Sequence, residues 1–202
     1  MLDQYGSNSA LKELDPFVVA RYVGSTAAAQ YSVGVKLLAA LQAVLLASGG
    51  AVWSRATVLA ERHQYRALDR TIRRSARWYL LVAVGGVGLL QLLGPTLFSV
   101  LSSDTVKCDR WTFFWQGAVT IVIVSLAPFG LALAGVGVVR MQAIVMAWMT
   151  VANLALSLIL VRTLGTVGPA LGSVVAQLAC FALPLAVMWK RHIVNQTRPE
   201  YS

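Results

Sequence analysis

Five stretches of this chain are apolar over the length of a membrane-spanning helix, and they are separated by short polar connections. The first runs from Tyr31 to Trp53, and the others are 78–101, 111–133, 141–161 and 167–189. About 20 apolar residues at about 1.5 Å each cross the roughly 30 Å of hydrocarbon in a bilayer. Lys36 is the one charged residue within these five runs. The connections leave no room for strand pairing, so the pattern predicts an all-α integral membrane protein with five spanning helices. Trp53, Trp78, Trp111, Trp115 and Trp189 fall at or near run ends, where an indole ring favours the headgroup level. Trp148 falls well inside a run.

Residues 1–30 break the pattern. Gln4, Ser7, Lys12, Glu13, Asp15 and Arg21 are interleaved there with Leu11, Leu14, Phe17, Val18 and Val19. The apolar part, 16–29, is too short to cross a bilayer alone. It reads as a partial helix or as a full polar helix lining a water-filled space, with 24–30 forming a turn into the first span. The organisation is thus a polar N-terminal helix over 1–30, a membrane bundle over 31–189 and a tail over 190–202.

Composition agrees: 57 % of residues are hydrophobic and 12 % are charged, which no ordinary soluble domain combines. Charge adds sidedness. Seven of the 17 Lys and Arg residues lie between Arg55 and Arg77, opposed by Glu61 and Asp69. Basic loops beside spanning segments stay on the cytoplasmic side, so 55–77, 134–140 and the tail are expected inside, and 102–110 and 162–166 outside. The outer loop balances Asp104 and Asp109 against Lys107 and Arg110, and the tail carries Lys190, Arg191 and Arg198, as the rule requires. The net charge of +9 therefore has a topological origin, and no nucleic-acid partner is expected. The 55–77 stretch contains neither Gly nor Pro. With Leu59, Tyr65, Ala67, Leu68, Ile72 and Trp78 on an apolar side, it reads as an amphipathic helix along the inner membrane surface, in contact with lipid headgroups.

Candidate chemistry is sparse. Cys108 and Cys180 lie in an outer loop and mid-span, a placement that does not predict a disulfide. His63 and His192 sit in basic segments, and no metal-ligand spacing, nucleophile elbow or phosphate loop occurs. No enzymatic activity, cofactor or metal is expected. Charge at membrane depth is more informative, because it usually faces a partner or a wet cavity. Lys36 is followed by Ala39, Ala40, Ala43 and Ala47 at helical spacing. It either snorkels to the headgroups or, with Arg21, faces a lumen and binds an anionic substrate group. Asp15 is read as half of an ion pair or as the carrier of a coupling proton. Pro128 and Pro184 sit at matching depths in two spans and mark kinks or hinges. Gly168 and Gly172, and the cluster Gly85, Gly86 and Gly88, are expected at close helix seams. Asn153 and Ser157 share a helix face and suit interhelical hydrogen bonds.

The order Leu14-Asp15-Pro16-Phe17, Ala20-Arg21-Tyr22-Val23-Gly24, Gln30-Tyr31-Ser32 and Lys36-Leu37 resembles the start of the second half of the polysaccharide-export flippases. These O-antigen and capsule transporters share a superfamily with lipid II flippases and MATE exporters. The basic stretch after Trp53 resembles the family's inner loop, and 165–172 resembles the opening of a later helix. The resemblance implies one bundle of a two-bundle, alternating-access transporter for an oligosaccharide linked to a lipid diphosphate. It also implies that Arg21 and Lys36 contact diphosphate or acidic sugar, with Asp15 beside them. Such transporters have twelve or more helices, so the resemblance leaves the chain as a fragment, a truncated gene product, or one half completed by a second copy or by a separate N-terminal half. A MATE-like exporter half and a non-transporting scaffold are the alternatives. A scaffold would bury or snorkel Asp15, Arg21 and Lys36 separately, whereas a transporter half would gather them on one wetted surface.

Overall fold

The computed structural model describes residues 15–102 and 109–197. The expectations for Gln4, Ser7, Leu11, Lys12, Glu13, Leu14, Asp104, Lys107, Cys108 and Arg198 fall outside the described residues. Those described form helices and turns, with no strand among them. Helix α1 (15–22) is followed by α2 (Ser25–Ala47), α3 (Gly49–Glu61), α4 (Tyr65–Ser102), α5 (Arg110–Gly135) and α6 (Val139–Leu164). The last rod comprises α7 (Val167–Ala176), a π-turn over Gln177–Ala182 and α8 (Leu183–Trp189). It ends in a second π-turn over Lys190–Val194 and a short 3-10 turn over Asn195–Thr197.

Five rods are long and apolar enough to span a membrane: Ser25–Glu61, Tyr65–Val100, Arg110–Gly135, Val139–Leu164 and Val167–Val194. The protein is an all-α, multi-pass membrane protein. Its surface carries the apolar belt such a protein needs, with Leu92 81 % and Trp148 69 % exposed in mid-helix. The first span is longer than its apolar core because α2 and α3 join almost directly at Ser48. There the hydroxyl donates to the Leu45 carbonyl at 2.7 Å and lies 2.6 Å from the Tyr79 hydroxyl. The turn before it is shorter than expected. Only Val23 and Gly24 connect α1 to α2, and Gly24 at φ 121° adopts a backbone that a side chain would resist. The chain thereby folds back so that Val19, Tyr31 and Ala170 share a core.

The basic stretch departs most from expectation. It is not one surface helix: the chain breaks at residues 62–64, with His63 in the left-handed region at φ 55°, and 65–77 is the first part of α4. Only part of its apolar side, Leu68 and Ile72, faces the bundle, while Ala67 and Trp78 stay exposed. Leu68 and Ile72 are fully buried with Ala56, Leu133, Met188 and Trp189. Burial against α5 and α8 removes more apolar surface from water than half-immersion at an interface would. Trp189 accordingly leaves the expected aromatic belt. It is 4 % exposed and donates its Nε1–H to Asp69 at 2.8 Å.

The glycine seams divide in the same way. Gly168 and Gly172 let α7 lie directly against Leu156, Ser157 and Leu160 of α6. Of the cluster in α4, only Gly86 lies at a seam, where an added Cβ would stand 2.8 Å from Cδ1 of Leu41. Gly85 and Gly88 face open space. Gly86→Val should therefore destabilise the bundle by about 1–3 kcal/mol, and Gly85→Val should not, as thermal unfolding of the two variants in detergent would show. Pro128 is buried within α5, which continues as helix on both sides of it. The π-turn of Gln177–Ala182 immediately precedes the segment holding Pro184, so there an altered hydrogen-bond ladder accompanies the proline.

Candidate functional site

Asp15 opens the described part of α1 and points into the bundle, 7 % exposed. Three hydroxyls from three other helices donate to its carboxylate: Tyr31 of α2 at 3.2 Å, Ser157 of α6 at 3.2 Å and Ser173 of α7 at 3.3 Å. Ser173 is also within 2.9 Å of Oδ1 of Asn153. The Gly168 and Gly172 seam makes this possible, because it brings the backbones of α6 and α7 close enough for short serine side chains to meet one carboxylate. The result is a buried nest of oxygen atoms with no cation of a described residue in ion-pair reach. Among the described residues the one salt bridge is Arg73 to Asp69, at 2.8 Å.

Among the described residues Asp15 has no ion-pair partner, and Arg21 and Lys36 do not stand beside it. Helical geometry gives the reason. Six residues turn a helix by about 600°, so Arg21 points about 120° away from Asp15. Five residues separate Tyr31 from Lys36, about 140° apart, so a buried Tyr31 leaves Lys36 outside. Arg21 and Lys36 are both exposed, and neither has a hydrogen-bond or ion-pair partner among the described residues. Lys36 lies eleven residues past the start of α2, about 16 Å along its axis. Ala40, Ala43, Ala47 and Gly50 are exposed on α2 and α3 beyond it.

Other polar groups inside the bundle tie helices together. Gln42 donates to Thr120 Oγ1 at 3.0 Å, Gln116 to the Tyr31 carbonyl at 3.1 Å and Gln91 to the Phe113 carbonyl at 2.8 Å. At the end away from the basic stretch, Asp109 caps α5 by accepting from the Trp111 backbone N–H at 3.2 Å. It also accepts from Thr112 and, at 3.1 Å, from Thr166, which joins the start of α5 to the start of α7. Nearby, Arg162 stacks over the Tyr22 ring with its guanidinium carbon 5.5 Å from the centroid. No buried side-chain polar atom lacks a partner among the described residues.

Asn153 and Ser157 bridge helices, as their shared face suggests. Sequence reasoning attached none of Tyr31, Ser157 and Ser173 to Asp15. A signal existed for Ser173, since it follows Gly172 at the seam that faces Ser157. Tyr31 had none beyond its place at the start of an apolar run. Comparison of the chain with protein-family models, with curated proteins and with solved structures finds no match.

Proposed function

We propose that this bundle is one half of an alternating-access transporter that moves an anionic, lipid-linked oligosaccharide across the cytoplasmic membrane for polysaccharide synthesis. In this reading the basic end faces the cytoplasm, the protein performs no chemistry on its cargo, and a second bundle faces α1 and α2. The observation that carries it is Lys36, a charge without a partner, exposed about 16 Å along a spanning helix. An ammonium facing lipid hydrocarbon is costly, and a wetted cavity with an anionic substrate would offset that cost. The exposed alanines along the same helix leave room for a bulky ligand on that side. Arg21, exposed at the outer end of α1, supplies a second donor, and its planar guanidinium suits phosphate oxygens.

A specific observation also supports coupling through Asp15. A carboxylate surrounded by hydroxyls can take up a proton or a small cation without disturbing a structural ion pair. That nest equally favours the MATE-like reading, in which a small molecule is exported. The two are separated by cargo. In cells dependent on a two-bundle transporter carrying this half, Lys36→Ala and Arg21→Ala should each lower polymer export roughly tenfold or more, given about 1.5–3 kcal/mol for a hydrogen bond to a charged group. The amount of protein in the membrane should not change. The burial of Asp15 apart from exposed Arg21 and Lys36 is the arrangement expected of a scaffold, so that reading stands beside this one, and unaltered export by both variants would leave it in place.

A further inference from the structure

At the basic end, a line of guanidinium groups meets an apolar groove. Arg66, Arg70, Arg73, Arg74 and Arg77 share one face of α4 with Asp69 as the single acidic member. All five arginines are exposed, and Arg70, Arg74 and Arg77 have no hydrogen-bond or ion-pair partner among the described residues. Next to them lies a groove of about 400 Å³ between α4, α5 and α8, walled by Leu126, Phe129, Leu185, Ala186 and Trp189. Arg73 and Lys190 stand at its rim, and Arg73 belongs to both features.

The rim is held in place from below. Trp189 lies edge-on to Phe129, with ring centroids 5.0 Å apart, and donates to Asp69. Asp69 in turn accepts Nε–H of Arg73 at 2.8 Å and 2.9 Å. That contact uses one of the five N–H donors of Arg73 and leaves the four on its terminal nitrogens for a ligand. The level is that of a lipid headgroup. Immediately beyond Arg77 the helix surface turns apolar, with Trp78 60 % and Leu81 63 % exposed.

We propose that this groove is a binding site for one anionic diacyl phospholipid, its phosphate held by Arg73, Lys190 and the neighbouring arginines and one acyl chain lying against Leu126, Phe129 and Ala186. The argument is charge complementarity joined to an apolar channel at the depth where a phospholipid presents both parts. A nucleic acid or an acidic peptide would use the arginines and leave the groove empty. The site stands apart from Arg21, Lys36 and Asp15, so it survives or fails independently of the transport reading.

The full chain is reconstituted in vesicles of equal phosphatidylglycerol and phosphatidylcholine and extracted in mild detergent, and the retained lipid is identified by mass spectrometry of the intact protein. Wild type should retain one phosphatidylglycerol in preference to phosphatidylcholine. Each charge near an anionic surface contributes about fivefold, so Arg73→Gln with Lys190→Gln should lower the preference by an order of magnitude or more. Arg74→Gln with Arg77→Gln, which breaks no contact within the protein, should lower it as well. Arg55→Gln with Arg62→Gln removes the same charge from α3 and the turn that follows it, and should change it less than about twofold. Ala186→Trp fills the groove without touching a charge and should abolish retention. Equal retention of the two lipids overturns the proposal. So does an equal loss in the α3 control, or displacement of the lipid by inorganic phosphate alone. Undiminished binding in Ala186→Trp would refute the groove as the seat of the acyl chain.

Discussion

Gly168→Ala is expected to destabilise the bundle by about 3 kcal/mol, at or above the upper end of what overpacking usually costs. A methyl at this position would meet the Leu160 carbonyl carbon and lie 2.5 Å from its oxygen and 2.6 Å from the Val161 nitrogen. All three are backbone atoms, so no rotamer change gives relief and α7 must move away from α6. The same movement separates Ser173 from Asn153 and Asp15. Gly130→Ala in α5 is the control. An added Cβ there has nothing within 4 Å, and alanine should be neutral or stabilising by up to about 1 kcal/mol. Thermal unfolding of both variants in one detergent, followed by circular dichroism, decides the matter. A Gly168→Ala bundle as stable as wild type would mean that the α6–α7 seam is looser than described.

The second large effect is at Asp15, where two substitutions should divide fold from function. Asp15→Val deletes the acceptor of Tyr31, Ser157 and Ser173 together. The serines can turn back to carbonyls in their own helices, but Tyr31, 3 % exposed, has no such option. A buried donor left alone costs about 1–3 kcal/mol, so this variant should be clearly less stable in the same unfolding assay. Asp15→Asn keeps size and an acceptor oxygen and should fold nearly as well as wild type. What it loses is the capacity to titrate or to balance a cation. If Asp15 couples transport, substrate movement by Asp15→Asn in vesicles should no longer respond to an imposed proton or sodium gradient. A response as steep as that of wild type would assign Asp15 to structure alone.

The spanning rods were legible because the bilayer imposes a length on any apolar helix and because charge is nearly absent from them. The ends were less legible. Ser25 to Gln30 continues α2 even though its polarity reads as a turn, since a helix pays little for polar residues at its exposed start. Sequence placed Leu68, Ile72 and Trp189 at an interface, where an amphipathic pattern would put them. That pattern records only that one side is apolar, and a neighbouring helix satisfies it as well as a lipid surface does. The glycines show the same ambiguity: spacing marks Gly85, Gly86, Gly88, Gly168 and Gly172 alike, and only a facing helix distinguishes a seam from an open surface.

The candidate site divides along the same line. Sequence alone determined that the chain spans a membrane through five helices, and that Asp15, Arg21 and Lys36 are its unusual charges, because desolvation makes charge beside apolar runs conspicuous in any arrangement. Tertiary structure decided which of them is inside. Asp15 is buried because Ser173, 158 residues away along the chain, comes within hydrogen-bond distance of it across a glycine seam, while Arg21 and Lys36 stay on the surface. A sequence fixes the faces of each helix through its 3.6-residue period, but which face meets which neighbour depends on close fit between distant segments.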